Sequence, residues 1–432
     1  MALDLIDRLA AGARVAVAAI ALAGWAGTAL AAADAPLSGQ VTLWGGANLT
    51  SAAQIVLEGF TAKNPGVALS YEKFPFAEYP TKMRLQLSTG ADTPDVMIVH
   101  DFLVDSFIKA GWLADLSSVI SPDAFLAGSL GNVTADGKIY GIPGQSNPTG
   151  LWYRADVFKQ LGIAAPTTFE DYTAAAQKLK DAGYFIDAFD PSAAATPFQL
   201  YLYHAGGAIF NADGSIGLGD KAVAALTTLR DMVDKGYFFS ATPNQADYWS
   251  AVNGGKIVAR FAASSDAAYL DTNLDPKGAG GYGNWVYADP PQFDGAAKTY
   301  LYDQSFIVVN AKSKNLPAAI AVAQYLTTNT DAALVYDSIE RPGIVVRQTP
   351  TALEALKAVE GGATGWAVYG GERVNATKAK LLLAAPPGTV HKDSRWNAAT
   401  DAINLILPQV FSGALSPQDA VAQMTEQLQS IQ

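Results

Sequence analysis

A chain of 432 residues, half of them hydrophobic and 16% charged, is too long for one ordinary core, because single cores stop growing near roughly 250–300 residues. Its net charge of -11 disfavours nucleic acid, whose binding rests on Lys and Arg displacing counterions from phosphates. The absence of cysteine excludes disulfides, a thiol nucleophile, thiolate metal ligands and a lipid-bearing cysteine.

At the N-terminus Arg8 and Arg14 lead into the Ala-rich run Val15 to Leu30, followed by Ala29-Leu-Ala31 and Ala31-Ala-Ala33. That is the pattern of a secretory signal with an A-x-A cleavage site, expected to be removed with residues 1–33. An uncleaved anchor is the alternative, since the run is about long enough to span a membrane. Past it, Val41-Thr-Leu-Trp44 reads as a buried strand, Thr50 and Ser51 as N-cap candidates, and Ala53, Val56, Leu57 and Phe60 recur at helical spacing. Asn64-Pro-Gly66 ends that helix. Val67 to Tyr71 is a second strand, Glu78 to Ser88 a second helix with Gly90 as its C-cap, and Asp95 to Val99 a third strand. Strands alternating with helices imply a parallel sheet, and ligands of such sheets sit beyond the carboxyl ends of the strands.

Asp136-Gly-Lys-Ile-Tyr-Gly-Ile-Pro143 then ends a strand, Gln145, Ser146 and Asn147 form a polar crossover, and Leu151-Trp-Tyr-Arg-Ala-Asp-Val-Phe158 starts a new lobe. Thr168-Phe-Glu-Asp171 is a capping box with Asp in place of Glu. Helices are expected at Phe198 to Ala205, Lys221 to Lys235 and Ala246 to Asn253, and strands at Lys256 to Phe261 and Asn284 to Tyr287. Asp289-Pro-Pro291 with Lys298-Thr-Tyr-Leu-Tyr302 reads as a second crossing and Arg341-Pro-Gly343 as a third. Later helices are expected at Leu316 to Thr328, Asp331 to Ile339, Asn397 to Val410 and Pro417 to Leu428.

The hinge stretch, with Thr93-Pro-Asp-Val-Met-Ile-Val-His-Asp101 upstream and Ala205-Gly-Gly-Ala-Ile-Phe210 downstream, resembles the extracellular solute-binding proteins of ABC importers, sugar-binding family 1, the maltose-binding-protein-like group. The resemblance covers nearly everything after the leader. It implies an α/β, two-lobed periplasmic binding protein fold, each lobe a mainly parallel sheet flanked by helices, joined by a multi-crossing hinge. The lobes are expected at 39–144 with 298–341, and at 145–297 with 342–432. The implied function is to bind a neutral mono- or oligosaccharide without altering it and to hand it to ABC permease transmembrane subunits. The protein is expected to be a periplasmic monomer, with no cofactor and no enzymatic activity.

A sugar offers apolar C–H faces and a rim of hydroxyls, so its site needs aromatic surfaces and fixed carboxylates or amides. Trp44 and Asn48 fall in the first strand-to-helix loop and His100 and Asp101 in the third. The resemblance implies ligand contacts for these, for the hinge residues Gln145, Ser146 and Asn147, for Asp190, and for the stacking aromatics Trp366 and Trp396. Asp101 also suits the N-cap of a helix beginning at Phe102. Where the family commonly carries a Gly-(Pro)-Trp, this chain reads Gly255-Lys-Ile-Val-Ala-Arg-Phe-Ala-Ala-Ser264-Ser265, exchanging a stacking platform for hydroxyls, with Ser264 expected to bond ligand. Tyr302-Asp303-Gln304 replaces a Gly-rich turn, and Asp303 is expected to add a hydroxyl acceptor.

Other motifs carry less. Gly278-Ala-Gly280-Gly-Tyr-Gly283 matches G-x-G-x-x-G by letter, but a strand follows where a dinucleotide site needs a helix. Three scattered histidines give no metal-ligand spacing. Two other readings stay open: a cationic ligand caged by Trp44, Trp366, Trp396 and nearby aspartates, and a glycosidase using two of Asp101, Asp190 and Asp303, which needs a carboxylate pair about 5–9.5 Å apart.

Overall fold

The computed structural model describes residues 36–46, 51–75, 78–293, 296–328, 349, 354, 367–372, 374–384 and 387–431. The expected leader, the helix at Asp331 to Ile339 and the crossing at Arg341-Pro-Gly343 lie outside them, as do Asn48 and Trp366.

The first lobe is built on strands β1 (Gly39–Gly45), β2 (Val67–Lys73) and β3 (Val96–His100), with β1 paired in parallel to both neighbours. Its faces follow the two-residue period of a strand. Val96 and Ile98 pack with Val41, Leu43 and the helices Ser51–Lys63 and Leu316–Thr328 on one side. Met97 and Val99 pack with Trp44 and the helices Tyr79–Thr89 and Asp101–Lys109 on the other. Both faces are therefore covered, and no residue within β3 before His100 reaches solvent.

After a short hairpin, β4 (Thr134–Ala135) and β5 (Lys138–Ile139), in which Asp136 and Gly137 supply the positive φ values of the turn, the chain enters β6 (Ile142–Arg154). This strand spans the lobe boundary. Its first half pairs antiparallel with a later long strand, through Ile142 opposite Ile307 and Ser146 opposite Gln304. Its second half lies in the other lobe.

The second lobe contains the parallel pair β7 (Asp187–Phe189) and β8 (Phe238–Ser240), and the strands β9 (Ala259–Ala263) and β10 (Trp285–Ala288), both antiparallel to β6. Leu151 faces a core with the helices Phe169–Asp181, Ala195–His204, Asp220–Asp234 and Trp396–Phe411, whereas Trp152 faces a second core with Tyr248, Trp285 and Tyr287. Thr168 and Asp171 make both bonds of the expected capping box.

The return strand β11 (Tyr300–Val309) is antiparallel to β6 and β3; pairing is parallel among β1, β2 and β3 and between β7 and β8, and antiparallel between β6 and β9, β10 and β11. Register shifts occur between Leu301 and Asp303 and between Ser305 and Phe306. A further crossing runs through β12 (Gly388–Thr389), parallel to β11. There Thr389 Oγ1 donates to Gly128 O at 2.9 Å, Asn132 Nδ2 donates to Val390 O at 3.0 Å, and Ser394 N donates to Asp105 Oδ2 at 2.9 Å. These bonds lay the segment on the first lobe before the helix Trp396–Phe411 returns it to the second. The glycines around Gly281 serve packing: a β-carbon there would come within 1.9 Å of Arg154 Nε, whose guanidinium donates to Ala279 O.

Candidate functional site

A cleft of about 630 Å³ opens where Phe102 of the first lobe meets the crossing strand β11 and the second lobe. Its position follows from the shift in β11. Bulges re-aim side chains, and here the consecutive residues Tyr302 and Asp303 are both partly exposed and both line the cleft. The Tyr302 hydroxyl donates to Gln199 Oε1 at 2.6 Å, which fixes the ring to the helix Ala195–His204.

On this wall Lys392 reaches from the β12 crossing. Its Nζ lies 3.0 Å from Asp101 Oδ2, 3.2 Å from Asp101 Oδ1 and 3.9 Å from Asp303 Oδ1, and 5.1 Å from the ring centres of both Tyr302 and Trp396. Asp101 is wholly buried. Burial raises its carboxyl to about 6, against the attraction of Lys392. For Asp303 burial acts upward too, but His100, with Nδ1 at 3.7 Å, and Lys392 outweigh it and hold that carboxyl well below the usual range.

The opposite wall belongs to the second lobe. Arg260 of β9 pairs with Asp266 and donates to Asn244 Oδ1 at 3.1 Å. Asp187 accepts the N–H groups of Ala188 and Phe261 at 2.7 and 3.1 Å, and burial, partly offset by Arg260, raises it to about 7. Thr242 is tied to Asp190, whose carboxyl is held low by the bonds from Thr242 and Ser192. Tyr269, on the helix Asp266–Asn273, stands in the lining with 48% of its surface exposed.

The residues singled out by sequence divide accordingly. Trp396 and Asp303 line the cleft. Trp396 is only 7% exposed and packs mainly into the second-lobe core. Asp101 is the first residue of its helix, with His100 at the N-cap position, so it does not make the expected cap. Its carboxylate accepts the adjacent Phe102 N at 2.9 Å and Gln304 N at 3.0 Å, is thereby committed to the protein, and touches the cleft only through Lys392. His100 and Asn147 act on Asp303, the latter donating from Nδ2 at 3.2 Å. Asp190 caps the turn Pro191–Ala193 and orients Thr242 rather than lining the cleft itself.

Four expected contacts are placed elsewhere. Trp44 is buried edge-on to Phe74 in the first-lobe core, because its strand is covered on both faces. Gln145 and Ser146 are held in the β6–β11 ladder outside the lining, and Ser146 Oγ has no partner among the described residues. Ser264 is fully buried, its N–H bonded to Pro148 O at 2.8 Å, and the neighbouring Ser265 lines the cleft instead. Sequence reasoning missed Lys392, Arg260 and Tyr269. Arg260 had a signal, a lone charge inside the apolar stretch Ile257 to Ala263.

Residues 46–333 match the family model described as bacterial extracellular solute-binding protein. The chain is similar to an ABC transporter extracellular-binding protein of Pyrococcus horikoshii, 30% identical over 139 residues, which are 32% of this chain and 33% of that protein. It is similar to the lactose-binding protein of Rhizobium radiobacter, 27% identical over 220 residues, 48% of this chain and 52% of that one. The matched part thus spans about a third to a half of the length of these curated relatives. The solved structure of the sugar-binding protein MalE from Xanthomonas citri aligns with a TM-score of 0.73 at 17% identity, covering 90% of this chain and 96% of that chain, which shows the two-lobed fold.

Proposed function

The chain belongs to the bacterial extracellular solute-binding protein family, and from that premise we propose that it is the periplasmic substrate-binding component of an ABC importer for a neutral mono- or oligosaccharide. The observation that carries this reading is the composition of the cleft: the aromatic faces of Phe102, Tyr269 and Trp396 stand among the polar groups of Thr242, Asn244 and Asp303 in one hollow at the strand crossings. Aromatic faces suit the C–H surfaces of a sugar, and a carboxylate held ionised accepts from hydroxyls with about twice the strength of a neutral acceptor. Tyr269 supplies a platform four to five residues beyond Ser264-Ser265, the point where the family's Gly-(Pro)-Trp is missing. The relatives, a lactose-binding protein among them, support a saccharide.

Among the described residues, those of 39–144 and 298–328 form the ligand's one jaw and those of 145–297, 367–384 and 396–431 the other, with the β12 crossing between them. They close about β6, β11 and β12, and ligand favours the closed arrangement because only there do both jaws touch it. The closed form docks on the permease as a monomer, after export through a cleaved leader. The reading involves no bond cleavage: of the cleft carboxylates, Asp303 is engaged by Asn147, His100 and Lys392, Asp266 by Arg260, and Asp187 by the N–H groups of Ala188 and Phe261. A thermal-shift screen over neutral saccharides, sugar phosphates and polyamines tests the reading. A specific sugar at about 100 times its Kd adds roughly 2.7 kcal/mol of apparent stability. No shift with any neutral saccharide, beside a clear one with polyamines, overturns it.

A further inference from the structure

We propose that Lys392 is the resident cation of the cleft: its ammonium fills an aromatic and acidic cage made by Tyr302, Trp396, Asp101 and Asp303, and by filling it Lys392 makes the site reject ammonium ligands. The inference deepens the saccharide reading and rests on it for the nature of the ligand that is admitted.

The cage has the parts that recognise organic cations. Two ring faces lie 5.1 Å from Nζ, within the roughly 6 Å over which an aromatic quadrupole attracts a cation. Two carboxylates approach the same nitrogen, Asp101 at 3.0 Å and Asp303 at 3.9 Å. The Lys392 side chain is 5% exposed, so its ammonium is enclosed by these groups rather than solvated. The four walls come from three separate parts of the chain. Asp101 opens a first-lobe helix, Tyr302 and Asp303 sit at the shifted register of β11, and Trp396 opens the helix that follows the β12 crossing.

With Lys392 in place, a second cation entering the cleft meets a like charge where the rings and carboxylates would otherwise hold it. Specificity built on such an opposing element is as effective as added attraction. Lys392 also has a positive use. An ammonium carries three protons; Asp101 is within bonding distance, whereas Asp303 stands beyond it, which leaves a donor for a ligand oxygen between Lys392 and Asp303. The same side chain thus repels amines and presents a proton to hydroxyl or carbonyl oxygens.

Chemical complementation tests this directly. Lys392→Ala in the full chain deletes the four terminal side-chain atoms, which n-propylammonium matches in length and charge. Thermal melting and tryptophan fluorescence are followed against n-propylammonium chloride, with n-propanol plus equimolar sodium chloride as the neutral control. The alanine variant should bind the amine saturably and about tenfold or more tightly than the parent protein does, because two ring faces and a charge pair act together. It should ignore n-propanol. Lys392→Met, which refills the cage with an uncharged chain, should not respond, and Lys392→Ala/Asp101→Asn should lose the gain.

Equal responses of parent and alanine variant to the amine, or equal responses to amine and alcohol, overturn the proposal. If the alanine variant is unfolded at rest, dose-dependent refolding by n-propylammonium becomes the readout, and a chain left unfolded at saturating amine refutes the cage. A parent protein stabilised by tetramethylammonium or putrescine also refutes it. Because none of these arms uses a sugar, their outcome is separate from that of the saccharide screen: a parent that binds no saccharide sinks the function proposed above while the cage is still measured.

Discussion

Replacing Tyr269 with alanine takes an aromatic face from the cleft while sparing the core, because 48% of the tyrosine is exposed. A tyrosine has roughly 150–250 Å² of surface to bury, so about 100 Å² is free to meet a ligand. A sugar ring that covers half of this removes about 50 Å² from water, worth ~1.3 kcal/mol at ~25 cal/mol per Å². That corresponds to about a tenfold rise in Kd. The ligand-free protein should change by no more than about 0.5 kcal/mol, as for most exposed substitutions. Titration calorimetry with the saccharide that gives the largest shift in the screen, paired with urea unfolding of the empty protein, separates the two effects. An unchanged Kd refutes the platform role. So does a loss of affinity matched by an equal loss of ligand-free stability. Trp396→Ala cannot make this separation, since a residue 7% exposed in a core costs about 3–5 kcal/mol to truncate whatever it contacts.

Two further outcomes follow from buried groups. Burial, opposed by Arg260, raises Asp187 to about 7, above the roughly 3.9 of an unfolded aspartate, so the folded chain keeps a proton that the unfolded chain releases. This contribution is complete below about pH 4 and is lost as pH rises through about 7; Asp101, raised to about 6, acts in the same direction. Unfolding free energy should therefore fall between about pH 4 and about pH 7, and Asp187→Asn should flatten the fall. The variant is weaker at both ends, because its amide N–H groups meet one of the backbone donors that Asp187 accepts; equal slopes in the two proteins refute the assignment. At the crossing, a β-carbon on Gly150 would come within 1.9 Å of the Tyr287 ring, so Gly150→Ala should cost about 1–3 kcal/mol in urea unfolding. Wild-type stability of that variant would show that β6 shifts freely, contrary to the packing described.

How far the sequence exposes this site depends on how local each determinant is. The capping box at Thr168 and the left-handed Gly90 are settled within four residues, and both are legible because capping chemistry acts over one turn. Trp44 shows the first failure. A strand-end position suggests a loop contact, but β1 is covered on both faces, so side-chain parity carries no information about exposure and the indole goes into the core. Tyr302 shows the second: strict alternation with its neighbour Asp303 would send one of the two inward, and only the register shift against β6, a property of two strands 156 residues apart, brings both to the cleft.

Lys392 is the extreme case. Its main partner is 291 residues away, and in isolation the lysine reads as a solvated charge. Removing two charges from water is repaid only by good mutual geometry, so such a pair is weak evidence of stability. A buried lysine that gains the fold little, set between two rings at the wall of a ligand cleft, is better accounted for by what it admits and what it turns away. The local rules that specify helices and strands are silent on that choice, because the charge, the rings and the carboxylates become neighbours only after the lobes and their crossings have formed.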